Sequence, residues 1–392
     1  MNRKSLIIIF LVIFVDLLGF GMIIPILPYY AKSFGASATQ MGWLMVCYSG
    51  LQFIFSPFWG SLSDRYGRRP ILLTSILGVG ASMIVLGAAS SLFWLFTGRL
   101  LAGFFGANVA AASAYIADIT PPEKRAKGMG MIGAAFGLGF LFGPAIGGFL
   151  SQWGYGTAAF AAGGLSLANF LFALVVLREP RRQSDGAHRS HFQKDLWFKI
   201  LRSPPTGIPI LLFFLVTTGF AQLETVFAFF ILERFGLQAP HAGYILALMA
   251  LVIVLIQGGA IGRLSHKFGE ARLVICGTLV MGITLIAASF SLLVTLFIVA
   301  LIFHALGYSI THPSLMSLTS RHAPQNLQGM TMGIYQSAGS MARVIGPLTA
   351  GILYDHLGLR TPFWVAGGFF LLATLIMGIQ NRRDKNGVGK VV

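Results

Sequence analysis

Residues 5–30 read SLIIIFLVIFVDLLGFGMIIPILPYY, an apolar run whose one charged side chain is Asp16. A helix needs about 20 apolar residues, rising 1.5 Å each, to cross a bilayer. A charge near the bilayer centre costs about 2.5–3.5 kcal/mol on insertion scales, so Asp16 requires a reason. Similar runs recur at 40–62, 70–90, 93–117, 127–151 and 156–177, then at 208–232, 241–264, 272–291, 293–316, 327–353 and 361–380. With 56% of 392 residues hydrophobic and 10% charged, the chain has too few polar side chains to give these runs solvated faces. The reading is an all-α integral membrane protein with twelve transmembrane helices. Gly and Pro within many runs suit membrane helices, where small residues permit close packing.

The formal charge of +16 raises the question of a nucleic-acid partner, but its placement answers it. Of 28 Lys and Arg residues, 23 fall in the terminal segments and the connections of one side, and three, Lys32, Arg234 and Arg360, on the other. Lys/Arg asymmetry sets orientation across a membrane. It predicts a multi-pass plasma (inner) membrane protein with both termini cytoplasmic, in contact with membrane lipid and with no nucleic acid. Arg3 and Lys4 before the first run resemble the start of a signal peptide. The length of that run, Asp16 and eleven further spans argue for a retained first helix. Cys47 and Cys276 lie in separate spans, and neither they nor the histidines show disulfide or metal spacing.

The longest connection, 178–205, is basic, polar and flanked by prolines. It divides the chain into an N-terminal six-helix bundle (1–177), a cytoplasmic linker (178–205) and a C-terminal six-helix bundle (206–392). A displacement of about 202 residues overlays the halves: GSLSDRYGRRP (60–70) on GRLSHKFGEAR (262–272), GPAIGG (143–148) on GPLTAG (346–351), SFG (33–35) on RFG (234–236). Several matches at nearly one offset indicate duplication. Two pseudo-symmetric six-helix bundles of this kind bind ligand between them and rock about it.

These motifs resemble those of the major facilitator superfamily over nearly the whole chain, and within it the twelve-helix drug–proton antiporters of the tetracycline-efflux branch. GSLSDRYGRRP is similar to the family's loop between helices two and three. Arg99 with Gly103 in GRLLAGFFGA is similar to its helix-four arginine motif. In the fifth span, GMIGAAFGLGFLFGPAIGG (130–148) sets Gly130, Gly139, Gly143, Pro144, Gly147 and Gly148 at the spacing of the antiporter motif. The resemblance implies the major facilitator fold and a latch in which Arg68 pairs with Asp118, alongside Gly60, Asp64, Arg65, Gly67 and Arg69. In the second half His266 replaces the aspartate and Glu270 an arginine, so a second latch is expected to be degraded. The ninth span departs from the tetracycline branch, which carries an acidic residue there, whereas 272–291 contains none.

The ionisable residues within spans are the candidates for chemistry. Burial disfavours the carboxylate form of Asp16, so it can load and release a proton; the alternative is a structural carboxylate paired with an Arg or hydroxyl. Arg99 is the leading partner, with snorkelling as the plainer reading. Glu224, in FAQLETVFAFF, is a second proton site, a ligand for a cationic substrate or a partner for Arg343. Arg343, in GSMARVIGP, is otherwise a ligand for an anion. His304, with His312 two turns on, titrates near neutral pH in water, although a buried histidine is more often hydrogen-bonded structure. These give the proton-coupling set Asp16, Arg99, Glu224, His304 and Arg343. Tyr48, Gln52, Asn108, Gln222, Tyr308 and Gln336 are polar positions inside spans, suited with the many Phe and Met to an amphipathic aromatic substrate.

The chain is therefore expected to be a proton-coupled exporter of hydrophobic or amphipathic small molecules, with the proton as coupling ion and no other cofactor, monomeric and not an enzyme. A proton-coupled importer or facilitator is the nearest rival, and a non-transporting sensor or scaffold the rival from another class.

Overall fold

The computed structural model describes residues 3–107, 109–120, 125–180, 194–324 and 327–385. Sixteen α-helices run in chain order: α1 (Arg3–Ile23), α2 (Leu27–Ser33), α3 (Ala38–Tyr66), α4 (Arg68–Gly87), α5 (Leu92–Phe105), α6 (Val109–Ile119), α7 (Arg125–Leu150), α8 (Tyr155–Val176), α9 (Lys194–Arg202), α10 (Pro204–Phe235), α11 (Ala239–Leu255), α12 (Ile261–Phe268), α13 (Glu270–Phe290), α14 (Val294–His322), α15 (Gln328–Leu357) and α16 (Thr361–Lys385). Helix occupies each of the twelve apolar runs. Among the described residues eight helices are individually long and apolar enough to cross a membrane, and α1 with α2, bent by 41°, makes a ninth. That bend sits between Pro25 and Pro28, whose missing N–H groups interrupt the backbone ladder. A π-turn at Ile256–Ala260 separates α11 from α12. The remaining connection of note is 178–205, within which α9 forms.

The chain divides into two compact units, residues 1–188 with 228–248, and residues 189–227 with 249–392. In the first, α1 packs against both α7 and α8, α4 against α8 and α5, and α3 against α5. Its core gathers Ile9, Val12, Trp59, Leu72 and Tyr115, and the Trp59 indole donates to the Phe104 carbonyl at 2.6 Å. The end of α10 and most of α11 belong to this unit. There Lys32 Nζ pairs with Glu233 Oε1 at 2.8 Å, and the Tyr29 hydroxyl donates to the Leu237 carbonyl at 3.1 Å. In the second unit α13 packs against α14 and α16, and α15 against α14, α16 and α9.

Candidate functional site

Two polar constellations lie within the spans, one in each unit. In the first, Asp16 is half-buried on α1 and its Oδ1 is closed off from solvent. Phe20, one turn along the same helix face, stacks on Tyr48 of α3 at 4.9 Å and meets Phe140 of α7 at 5.9 Å. Arg99 of α5 also lies over the Tyr48 ring, its guanidinium carbon 4.3 Å from the ring centroid. Arg99 is buried, 2% exposed, and its Nε donates to the Leu44 carbonyl at 3.3 Å. A buried guanidinium needs its donors satisfied and its charge compensated; a carbonyl and an aromatic face supply part of both. The Gln52 amide donates to the Gly106 carbonyl at 2.9 Å and lies 3.4 Å from the Tyr48 hydroxyl. Gly103 lets α5 approach the Tyr48 backbone, because a Cβ there would sit 2.9 Å from the Tyr48 Cα. Asn108 lies outside the described residues.

In the second unit Tyr308 and His312 project half-buried from α14. Tyr308 stacks on Phe220 at 4.5 Å and faces His312 at 5.5 Å. His312 meets Phe213, which itself stacks on Tyr335 at 3.8 Å. Glu224 and Arg343 are near enough to Tyr308 for their charges to act on it, and Arg343 also acts on His312. A carboxylate, a guanidinium, a phenol and an imidazole thus share one aromatic-walled region. Gln336 is exposed on α15. Gln222 is fully buried and donates to Thr349 Oγ1 at 2.8 Å, which places it at the contact of α10 with α15. His304 is also fully buried, with Nδ1 3.3 Å from the Met281 carbonyl and Phe370 packed on its ring at 5.3 Å.

The short loop joining α3 to α4 holds a third cluster. Arg68 Nε donates to Asp118 Oδ2 at 2.9 Å, while its Nη1 reaches Asp64 Oδ1 at 2.5 Å and Ser63 Oγ at 2.6 Å. Ser63 in turn donates to the Gly60 carbonyl. Arg69 donates to the Leu174 carbonyl at 2.6 Å, and Arg65 lies over the Tyr66 ring at 5.3 Å. Glu179, absent from the sequence reading, accepts from the backbone N–H groups of Arg68 and Arg69 at 2.6 and 2.8 Å. It caps α4 where the orphan amides and the helix dipole favour a carboxylate. Its sequence signal is faint, a lone acid among arginines some 110 residues downstream.

The corresponding loop in the second unit corrects the expectation of a degraded pair. Glu270 Oε1 lies 3.1 Å from Arg321 Nη1 and accepts from Ser265 and Ser317, each at 3.1 Å. The ion pair is present with its signs exchanged: acid at the start of α13, base at the end of α14. Glu270 stands at the Arg68 position of the repeat, and Arg321 on the partner helix supplies the opposite charge.

The glycines of α7 face two neighbours. A Cβ on Gly143 would lie 2.7 Å from the Gly21 Cα, and one on Gly139 would lie 2.9 Å from the Leu17 side chain. Gly147 meets the Met22 backbone, so all three admit α1. Gly148 turns instead to α11, where its Cβ would lie 3.0 Å from the Gly243 Cα, and the Pro144 carbonyl faces the same glycine. Gly130 is in the first turns of α7, outside the residues whose packing is described.

Comparison with known proteins follows these features. The profile of the Major Facilitator Superfamily matches residues 9–261 and 258–389. Multidrug resistance protein 2 of Bacillus subtilis (strain 168) is 32% identical over a 397-residue alignment covering 98% of this chain and 97% of that protein. Tetracycline resistance protein, class B, of Escherichia coli is 33% identical over 361 residues, 89% of this chain and 87% of that one. Among solved structures, the human organic anion transporter MFSD10 (TETRAN) superposes with a TM-score of 0.71 at 26% identity, covering 96% of this chain and 99% of that one. A POT family transporter in complex with 5-aminolevulinic acid, TM-score 0.77 over 96% of each chain at 18% identity, is similar in fold alone.

Proposed function

The chain belongs to the Major Facilitator Superfamily, and on that premise we propose that it is a secondary exporter of amphipathic drugs driven by protons moving inward. The observation that carries this reading is a carboxylate, Asp16, one helical turn from Phe20, whose ring stacks on Tyr48, the same ring that the buried Arg99 guanidinium lies over. Relatives whose names record multidrug and tetracycline resistance support the drug class.

Asp16 is the proton carrier. Ionised, it is costly within the bilayer; protonation removes that cost, so the neutral form is the one that passes through an occluded state. The fixed charge of Arg99 favours the return to the carboxylate when the site opens to the cytoplasm, where both termini lie. Phe20, Tyr48 and Phe140 offer the substrate flat apolar surface, and Gln52 a polar handle. In the second unit Glu224 and Arg343 act as the complementary polar pair, with Tyr308, His312, Phe220 and Phe213 as walls. His304 and Gln222, fully buried and hydrogen-bonded, serve packing. The Arg68–Asp118 and Glu270–Arg321 pairs each tie two helices of one unit together, so that each bundle moves as a body during the cycle.

The test is proteoliposomes with an imposed pH gradient, an internal pH-sensitive dye and a panel of cationic, neutral and anionic drugs. Drug-triggered proton movement is expected, and Asp16→Asn is expected to reduce it at least tenfold while binding persists. Full coupled transport by Asp16→Asn would overturn the assignment, and silence across the panel would overturn the exporter reading.

A further inference from the structure

We propose that the corner between α9 and α10 is a binding site for one anionic phospholipid, its acyl chain in a groove of the second unit and its phosphate on Arg202 and Lys199. α9, KDLWFKILR, buries Ile200 and leaves Phe198 59% and Leu201 44% exposed, beside the exposed Lys199 and Arg202. An apolar face with basic flanks is the pattern of a helix lying in the membrane interface. The corner is built rather than loose. Thr206 Oγ1 donates to the Ile200 carbonyl at 2.7 Å, the Gly207 N–H donates to the Ser203 carbonyl at 2.7 Å, and Gly207 brings α10 against the Leu201 backbone.

Beside this corner lies an open groove of about 450 Å³ lined by Leu201, Arg202, Pro204, Ile208, Leu211 and Phe214, with Ala338 of α15 on its wall. Its size falls in the range of small-molecule sites, roughly 300–1,000 Å³. Its lining is apolar except at Arg202, whose guanidinium lies over the Phe198 ring at 5.9 Å. From Pro204 to Phe214 the lining descends about 15 Å along α10 at 1.5 Å per residue, the direction an acyl chain takes from the interface. The charge of Arg202, with Lys199 one turn before it on α9, selects the headgroup. The connection 178–202 carries seven Lys and Arg, and juxtamembrane basic clusters attract anionic lipid. The site is independent of both polar constellations, so its failure leaves the export reading untouched.

Native mass spectrometry of the purified full chain, titrated with phosphatidylglycerol or phosphatidylcholine, tests it. One phosphatidylglycerol is expected to bind at least tenfold more tightly than phosphatidylcholine. Lys199→Gln with Arg202→Gln, two surface changes, should abolish the preference, and Leu211→Trp, which fills the groove, should abolish retention of either lipid. Arg263→Gln, another exposed basic residue, should change nothing. Equal retention of both lipids, displacement by millimolar inorganic phosphate, or undiminished binding in the Lys199/Arg202 double variant would each overturn the proposal.

Discussion

Gly67 shows how one residue couples the sequence motif to the pairs around it. Its φ of +108° and ψ of 154° lie where only glycine sits without strain, a conformation costing other residues about 1–3 kcal/mol. A Cβ there would also lie 2.9–3.0 Å from the Glu179 carboxylate. Gly67→Ala should therefore destabilise by more than the backbone term alone, because it displaces the cap of α4. Glu179→Ala, which leaves the backbone free, should cost about 1 kcal/mol, as for other helix caps. Thermal unfolding of the detergent-purified protein measures both, and the glycine variant should unfold at the lower temperature. Tyr48 gives a second test at this scale. Tyr48→Phe keeps the ring that both Phe20 and Arg99 contact and should retain transport. Tyr48→Ala removes a cation–π contact worth about 2 kcal/mol when desolvated and should lower drug transport in everted vesicles about tenfold.

At the scale of elements, the α1–α7 contact is backbone against backbone. Leucine at Gly143 has no room beside the Gly21 Cα, so Gly143→Leu should separate the helices and abolish transport, read as loss of drug-triggered proton flux at normal membrane abundance. Gly164, where an added Cβ would meet no other part of the protein within 4 Å, should accept alanine with transport unchanged. The spacing of Gly139, Gly143 and Gly147 was readable in the sequence as a small-residue face. Its partner Gly21 was not, since the chain gives no sign of which helix meets that face. The same limit hid Glu179, whose partners Arg68 and Arg69 are distant in sequence. The apolar runs were legible because apolar length alone defines them, and helix occupies each one, eight of them, or nine with α1 and α2 joined, long and apolar enough to cross among the described residues. α9 was hidden because a short amphipathic helix in a basic connection has the composition of a linker, and the π-turn had only Gly258 and Gly259 to mark it.

At the scale of the whole molecule, duplication preserved a pairing while exchanging its charges. Arg68 faces acids in the first unit and Glu270 faces Arg321 in the second. What the repeat retained is an ion pair between the start of one helix and the end of another, which sequence alignment alone read as a loss. Glu270→Arg should lower transport, and Glu270→Arg with Arg321→Glu should restore part of it. Restoration is partial because Ser265 and Ser317 now donate to the carboxylate and an arginine offers them no acceptor. Arg321 is 68% exposed, so the pair itself contributes about 0.2–1 kcal/mol, and a complete loss in the single variant would have to come from the buried acid's other bonds. The orientation of these loops follows from the same charges. With 23 basic residues on one side and three on the other, the α3–α4 and α12–α13 loops are expected to face the cytoplasm. In a background lacking Cys47 and Cys276, Gln238→Cys should react with an impermeant maleimide added to intact cells, and His322→Cys only after the membrane is opened. The reverse pattern would invert the molecule and, with it, the direction proposed for proton release from Asp16.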